Sequence, residues 1–356
     1  MKEKKKTNGR GASKDLPNPF HKLNHEHENE LEDRPFEEED EKPNTTQYIK
    51  VYPKTIVNKV LSPDIPLMYS ANPYQGCEHG CIYCYARPTH NYWGYSAGAE
   101  FESKILIKHN AAVLLKKELT AKKWKVAPVS FSGNTDCYQP AERKFEITRS
   151  MLKVMVELRH PVGIITKNSL ITRDIDLLKD LQTDNLIKVY FSITTQDEQL
   201  RRWMEPRTTS FMQKLKAIER LSNEGVPVGV MMAPVIPGLN SHETMEIARL
   251  TSEAGALDIG YTVVRLNGQT GEIFKHWLTE NYPDRAEKVL HQIAEMHGGS
   301  LEDKRTGKRM KGEGEMAAMI KDSFRIARQK YFNNKSLPEL NVDAYKRPLS
   351  GQLSLF

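Results

Sequence analysis

Three of the four cysteines in this 356-residue chain, Cys77, Cys81 and Cys84, lie within eight residues of one another, in the run NPYQGCEHGCIYCYARP. The spacing is C-x3-C-x2-C, and Gly76 and Gly80 each precede a cysteine. Glycine lets a backbone curl without a Cβ penalty, so three thiolates can converge from one short loop. Structural zinc takes four closed ligands, commonly in two pairs; no second C-x2-C exists here, although His79 or Cys137 could complete such a site. A cubane iron–sulfur cluster is held by thiolates, and three cysteines leave one of its four irons open to a substrate or cofactor. An electron-transfer ferredoxin would use a fourth cysteine, so the missing ligand points to catalysis. Four cysteines in so long a chain do not make a disulfide scaffold, which suits a reducing, cytoplasmic setting.

These residues need elements to position them. From residue 48 onward, short apolar runs alternate with longer amphipathic stretches. Strands are expected at Pro66–Ser70, Val126–Ser132, Val162–Thr166, Ile187–Thr194, Val226–Pro234 and Ile259–Leu266. Helices are expected over Arg143–Leu158, Phe211–Ser222 and from Asn240 to Gly255, the last opened by a capping box of Asn240 and Glu243. Six strands each followed by a helix or long connection imply βα units on a parallel sheet, open or wound into a barrel. Sites then belong at the C-terminal strand ends, where the cysteine run falls.

The formal charge of +6 is uneven. Residues 1–47 carry 9 Lys+Arg against 12 Asp+Glu, net −3, leaving +9 on the remainder. A body of that charge is compatible with an anionic partner such as nucleic acid, and equally with a soluble Lys-rich surface. The first 47 residues read as a disordered charged tail, with His21, His25 and His27 solvated inside it. The longest apolar run, Val226–Leu239, has 14 residues and three prolines, too short and too broken to span a bilayer. No apolar stretch of a secretion signal follows the basic N-terminus. After residue 268 two helical stretches flank a basic segment with Lys304, Arg305, Lys308, Arg309 and Lys311, read as a solvated loop that could touch phosphate.

The motif C-x3-C-x-aromatic-C, with Tyr83 before the last cysteine and after the first strand of a βα series, resembles the radical S-adenosylmethionine (SAM) superfamily. The surrounding text, SPDIPLMYSANPYQGCEHGCIYCYARPTH with a following FESK, more closely resembles uncharacterised members related to spore photoproduct lyase. The resemblance covers about residues 48–270. It implies a 4Fe–4S cluster on Cys77, Cys81 and Cys84 and S-adenosyl-L-methionine on the open iron, cleaved by one electron to a 5′-deoxyadenosyl radical. It implies that Thr135 and Asp136 stand in for the turn holding the methionyl amino group, and that Lys167 faces the SAM carboxylate with Arg207 as a second candidate. Ser192 and Thr194 match the ribose position, while Ile236 and the backbone at Tyr83 match the adenine-packing segment. Cys137 lies where the lyase keeps its hydrogen-donating cysteine, but after the Thr–Asp pair and not before it; Tyr138 is the neighbouring alternative relay. A half-buried cysteine packing as a small hydrophobe is the other reading of Cys137. Tyr261 and Arg265 share a strand face, towards either substrate or core.

The expected architecture is α/β: a partial parallel (β/α)6 TIM-like barrel over 48–268, after a disordered N-terminal tail and before a helical C-terminal extension over 269–356. The expected partners are a reduced donor of the flavodoxin or ferredoxin kind and a nucleic-acid lesion or modified nucleotide, with no membrane. The rival from another class is a non-catalytic nucleic-acid-binding protein stapled by zinc or a cluster.

Overall fold

The computed structural model describes residues 9–13, 16–20, 45–65 and 67–347. The chain opens with β1 (Gln47–Val51), β2 (Val57–Lys59), β3 (Tyr69–Ala71) and β4 (Tyr74–Gln75), then α1 (Glu100–Ser103), β5 (Lys104–Lys108) and α2 (Ala111–Thr120). The repeating part follows: β6 (Val129–Phe131), α3 (Glu142–Phe145), α4 (Ile147–Glu157), β7 (Val162–Thr166), α5 (Ile175–Gln182), β8 (Ile187–Ser192), α6 (Glu198–Met204), α7 (Phe211–Asn223), β9 (Val228–Val235), α8 (Thr244–Glu253) and β10 (Asp258–Val263). Helices α9 (Gln269–Asn281), α10 (Pro283–Met296) and α11 (Gly314–Tyr331) complete it.

Seven strands form one sheet in the order β10-β9-β8-β7-β6-β3-β2. From β3 to β10 every pairing is parallel, and only β2 runs antiparallel at the edge. The six expected strands are these six parallel ones, and with their helices they make the expected partial barrel. In β9, Val228, Val230 and Met232 are fully buried on one face, while Gly229, Met231 and Ala233 on the other are buried or half-buried, as in a parallel sheet covered on both faces. A second, three-stranded sheet, β1-β5-β4, lies beside the cysteine run.

Helix α4 presents Ile147, Met151, Leu152 and Met155 to the main core. The helix expected over Arg143–Leu158 is broken at Glu146, which takes a left-handed φ of 49°. The Asn240 capping box does not form. Asn240 accepts from the Ile236 amide at 2.6 Å and donates to the Thr194 and Pro234 carbonyls, while Glu243 takes Thr195 and the Gln196 amide. Both side chains are spent on fixing strand ends.

The expected disordered tail contains two placed stretches. Ala12 and Leu16 are buried, and the Gly11 and Ala12 amides each donate to the Glu102 carboxylate at 2.8 Å. These contacts supply the apolar burial and hydrogen bonding that composition alone does not reveal. His21, His25 and His27 lie outside the described residues. The basic segment is largely neutralised: Arg305 and Lys308 pair with Glu313, and Arg309 with Asp64. Among the described residues no helix is long and apolar enough to cross a membrane.

Candidate active site

The cysteine loop leaves β4 and folds over the C-terminal ends of the parallel strands. Gly76 and Gly80 take φ of 77° and 68°, where a side chain would be strained, and a Cβ on Gly80 would stand 2.8 Å from Glu102 Oε2. Neighbouring elements pin the loop: Cys77 N donates to Phe101 O (2.8 Å), Ile82 N to Met204 O (3.1 Å) and Arg87 Nε to Cys81 O (2.9 Å). Arg87 is fully buried and ion-paired with the equally buried Glu102. Glu102, from FESK, thus ties together the loop, Arg87 and the N-terminal stretch.

All four cysteines are free. Cys77 and Cys81 are buried and Cys84 is half-buried. Burial pushes all three thiols above their ordinary pKa. No three His, Cys, Asp or Glu side chains among the described residues gather closely enough to hold a single metal ion. Four donors closing on one ion is what structural zinc needs, whereas a cluster takes each thiolate at a separate iron.

Beside the loop lies a buried polar network. Lys167, just past the end of β7, points its ammonium at Ser192 Oγ (2.8 Å), Thr194 Oγ1 (3.1 Å) and Glu205 Oε1 (3.3 Å). Tyr83 donates its phenol to Glu205 and lies 3.1 Å from Thr194 Oγ1. A second lysine, Lys214, stands 3.9 Å from Glu205 and donates to Ser192 O at 3.2 Å. Burial works against charge here, yet the two lysines hold the Glu205 carboxyl down at about 2. Burial likewise lowers the Lys167 pKa, but Glu205 and the Cys81 thiol outweigh it and the net shift is upward. Lys214, also buried, is pushed down to about 8. Cys81, Tyr83 and Ile236 share one apolar cluster with Leu239 and Val264, which floors the same region.

The structure therefore brings together Cys77, Cys81, Cys84, Tyr83, Lys167, Ser192, Thr194 and Ile236. Asp136 borders them: it accepts from Lys167 N (2.7 Å), Thr166 Oγ1 (2.8 Å) and Tyr138 N (2.8 Å), and its carboxyl lies 3.3 Å from His79 Nδ1. Burial would raise its pKa, but His79 and these donors hold it below the usual value. Thr135 spends its hydroxyl on Tyr74 O at 2.9 Å.

Three residues go elsewhere. Cys137 and Tyr138 are fully buried in the main core, because the Asp136 turn directs them inward, and Tyr138 bonds Asp174 at 3.0 Å. The small-hydrophobe reading describes Cys137 as placed. Arg207 spends its guanidinium on Glu78 (3.3 Å) and Gly9 O (3.0 Å) and makes no hydrogen bond to the Lys167 network among the described residues. Sequence reasoning missed Glu205, although it sits two residues before Arg207, and left Glu102 and Arg87 without a role inside text it had already singled out.

Fold, loop and strand-end chemistry define a class. The family model for the radical SAM superfamily matches residues 71–251, and the chain belongs to that superfamily. Such enzymes use a 4Fe–4S cluster and SAM, and need a reductant. An uncharacterised protein of Mycobacterium tuberculosis is 32% identical over 234 residues, 65% of this chain and 69% of that one. A radical SAM Nalpha-GlyT isomerase of Pseudomonas phage M6 is 25% identical over 194 residues, 54% of this chain and 38% of that one. Spore photoproduct lyase complexed with dinucleoside spore photoproduct is similar in fold, with a TM-score of 0.57 at 16% identity over 80% of this chain and 79% of that chain.

The residues present fit both groups. Three free thiols would offer one ligand to each of three irons, and the buried ammonium of Lys167 with the Ser192 and Thr194 hydroxyls, next to Cys81, would offer polar partners to SAM.

Proposed function

We propose that this radical SAM enzyme reductively cleaves SAM and abstracts hydrogen from a nucleotide unit of a nucleic acid. The observation that carries the cofactor half is the Lys167–Ser192–Thr194–Glu205 network next to Cys81. When bound at the cysteines, the cluster delivers one electron that converts SAM to methionine and a 5′-deoxyadenosyl radical. Lys167 gives an ammonium opposite the SAM carboxylate, a charge-assisted pairing that fixes the methionyl end. Asp136 supports the amino end, and with both oxygens engaged it acts chiefly through the backbone it orders. Ser192 and Thr194 offer hydroxyls to the ribose, and Ile236 with the Tyr83 backbone offers a dry face to adenine. The protein's part is to bind, orient and exclude water, while the cofactor performs the hard step.

The substrate half is supported by the likeness in fold to spore photoproduct lyase complexed with dinucleoside spore photoproduct, and by the net +9 of the chain beyond residue 47. A cytoplasmic, reducing setting and a flavodoxin- or ferredoxin-like donor suit an oxygen-sensitive cluster. The test is anaerobic reconstitution with iron and sulfide, then dithionite and SAM, with 5′-deoxyadenosine measured beside Cys81→Ala, with and without DNA. Product from the wild type alone is expected, increased by nucleic acid. Tightly held zinc with no cluster would refute the enzyme reading.

A further inference from the structure

Among the described residues, buried and half-buried arginines are hydrogen-bonded or ion-paired, as with Arg149 to Asp174, Arg159 to Asp184 and Arg309 to Asp64. Arg265 is the exception. It is half-buried two residues past the end of β10, and no hydrogen bond or ion pair to another described residue satisfies it. Its surroundings deepen the imbalance. Burial and the neighbouring Arg309 both oppose its charge, while the acids that would favour it, Asp64 and Asp303, are already taken. Asp64 accepts from Arg309 and from Gly307 N at 2.6 Å, and Asp303 from Arg305 at 2.8 Å with His297 3.1 Å away. With both carboxylates spent on other partners, the Arg265 guanidinium is left without a counter-ion of its own among the described residues, just past the C-terminal end of β10.

The next neighbour is Tyr85, the residue after Cys84, which lies within electrostatic reach of the Arg265 guanidinium. Tyr85 is 55% exposed, and its hydroxyl donates to Gly133 O at 2.8 Å, so the ring spans from the cysteine loop to the end of β6. An unpaired guanidinium beside an exposed aromatic face suits a phosphate and a base together: the planar fork matches phosphate geometry, and every base has a face that stacks. We infer that Arg265 is the substrate's phosphate subsite, seating a nucleic-acid phosphodiester while an adjoining base lies against Tyr85 at the cluster loop. This inference rests on the nucleic-acid reading of the substrate and locates where that substrate is gripped.

The test is fluorescence anisotropy of a labelled single-stranded DNA oligonucleotide and its duplex, titrated with the anaerobically reconstituted protein over a range of salt. Arg265→Met is expected to weaken binding about ten- to hundred-fold, the loss of a charge-assisted contact. It should also reduce the slope of log K against log salt by about one contact. Arg265→Lys keeps the charge and restores the slope, but not the whole affinity, because it lacks the fork. Lys308→Met, at an exposed position paired with Glu313, is the control for general surface charge. Unchanged affinity and slope in Arg265→Met would overturn the inference, as would an equal fall in SAM affinity, which would put Arg265 on the cofactor side. A wild-type preparation that makes 5′-deoxyadenosine yet binds no DNA at low salt would overturn it while leaving the radical SAM assignment standing. Capture of an acidic peptide in place of DNA would likewise overturn the phosphodiester assignment.

Discussion

Glu205→Gln isolates the electrostatics of the buried network. The substitution keeps shape and an acceptor for the Tyr83 phenol, but leaves Lys167 and Lys214 facing a neutral amide in a site where Glu205 is fully buried. Two routes give the magnitude. Breaking a buried pair by removing one partner costs about 3–5 kcal/mol. Independently, the drop of the Glu205 pKa from 4.5 to about 2 corresponds to about 3 kcal/mol. With an unfolding entropy of about 2.1 cal/mol/K per residue, 3 kcal/mol lowers the melting temperature of this chain by about 4 °C. A depressed carboxylate stabilises the fold above its unfolded pKa and loses that contribution as pH falls through the folded one. The wild type should therefore lose this increment between pH 4.5 and about 2, and the variant should lack that limb. The assay is anaerobic thermal melting of both proteins at pH 7 and down the acid limb, repeated with SAM. The carboxylate of SAM offers the freed Lys167 a partner, so SAM should raise the variant's melting temperature more than the wild type's. Equal melting at pH 7 with parallel acid limbs would refute the reasoning that Glu205 holds Lys167 in place.

Iron content and visible absorbance after reconstitution should fall to background in Cys77→Ser, Cys81→Ser and Cys84→Ser. They should persist in Cys137→Ser, which costs about 1–3 kcal/mol in urea unfolding by placing a hydroxyl in the main core. Arg87→Met leaves Glu102 buried without its cation and should cost about 3–5 kcal/mol by the same measurement. Lys214 binds its proton less tightly folded, at about 8, than at its ordinary 10.5. The unfolded chain therefore holds more protons across that window, so Lys214 makes stability rise with pH there; melting from pH 7.5 to 10 should show the rise flattened in Lys214→Met.

The six parallel strands are legible because a strand covered on both faces leaves a continuous apolar run, as VPVGVMMAPV does for β9. The smaller sheet is not, because β4 has two residues and β1 has none that is fully buried, so their pairing is decided by neighbours far along the chain. The same division runs through the site. Lys167, Ser192 and Thr194 sit at or just beyond predicted strand ends, where period and direction fix what side chains face. Cys137 and Arg207 sit in turns, where one Asx-type hydrogen bond or one glutamate decides the direction, and proximity in sequence misled. Glu205 and Glu102 escaped notice because nothing local marks an acid whose partners lie on other elements. Glu102 lies 15 residues from Arg87 and about 90 from Gly11 and Ala12.

Those long-range ties bear on what the cysteines are for. A metal staple supplies folding energy outright, and such domains unfold when the metal is removed. Here protein contacts shape the loop: Arg87 holds the Cys81 carbonyl, Glu102 holds Arg87, and the Cys77 and Ile82 amides donate to the Phe101 and Met204 carbonyls. The main core contains Cys137 but none of Cys77, Cys81 and Cys84. The apo-protein should therefore keep its far-UV circular dichroism and a cooperative melt after anaerobic chelation, losing visible absorbance and SAM cleavage together. Collapse of the whole chain on chelation would instead make the cysteines a structural staple, and the preorganised loop would no longer account for the fold.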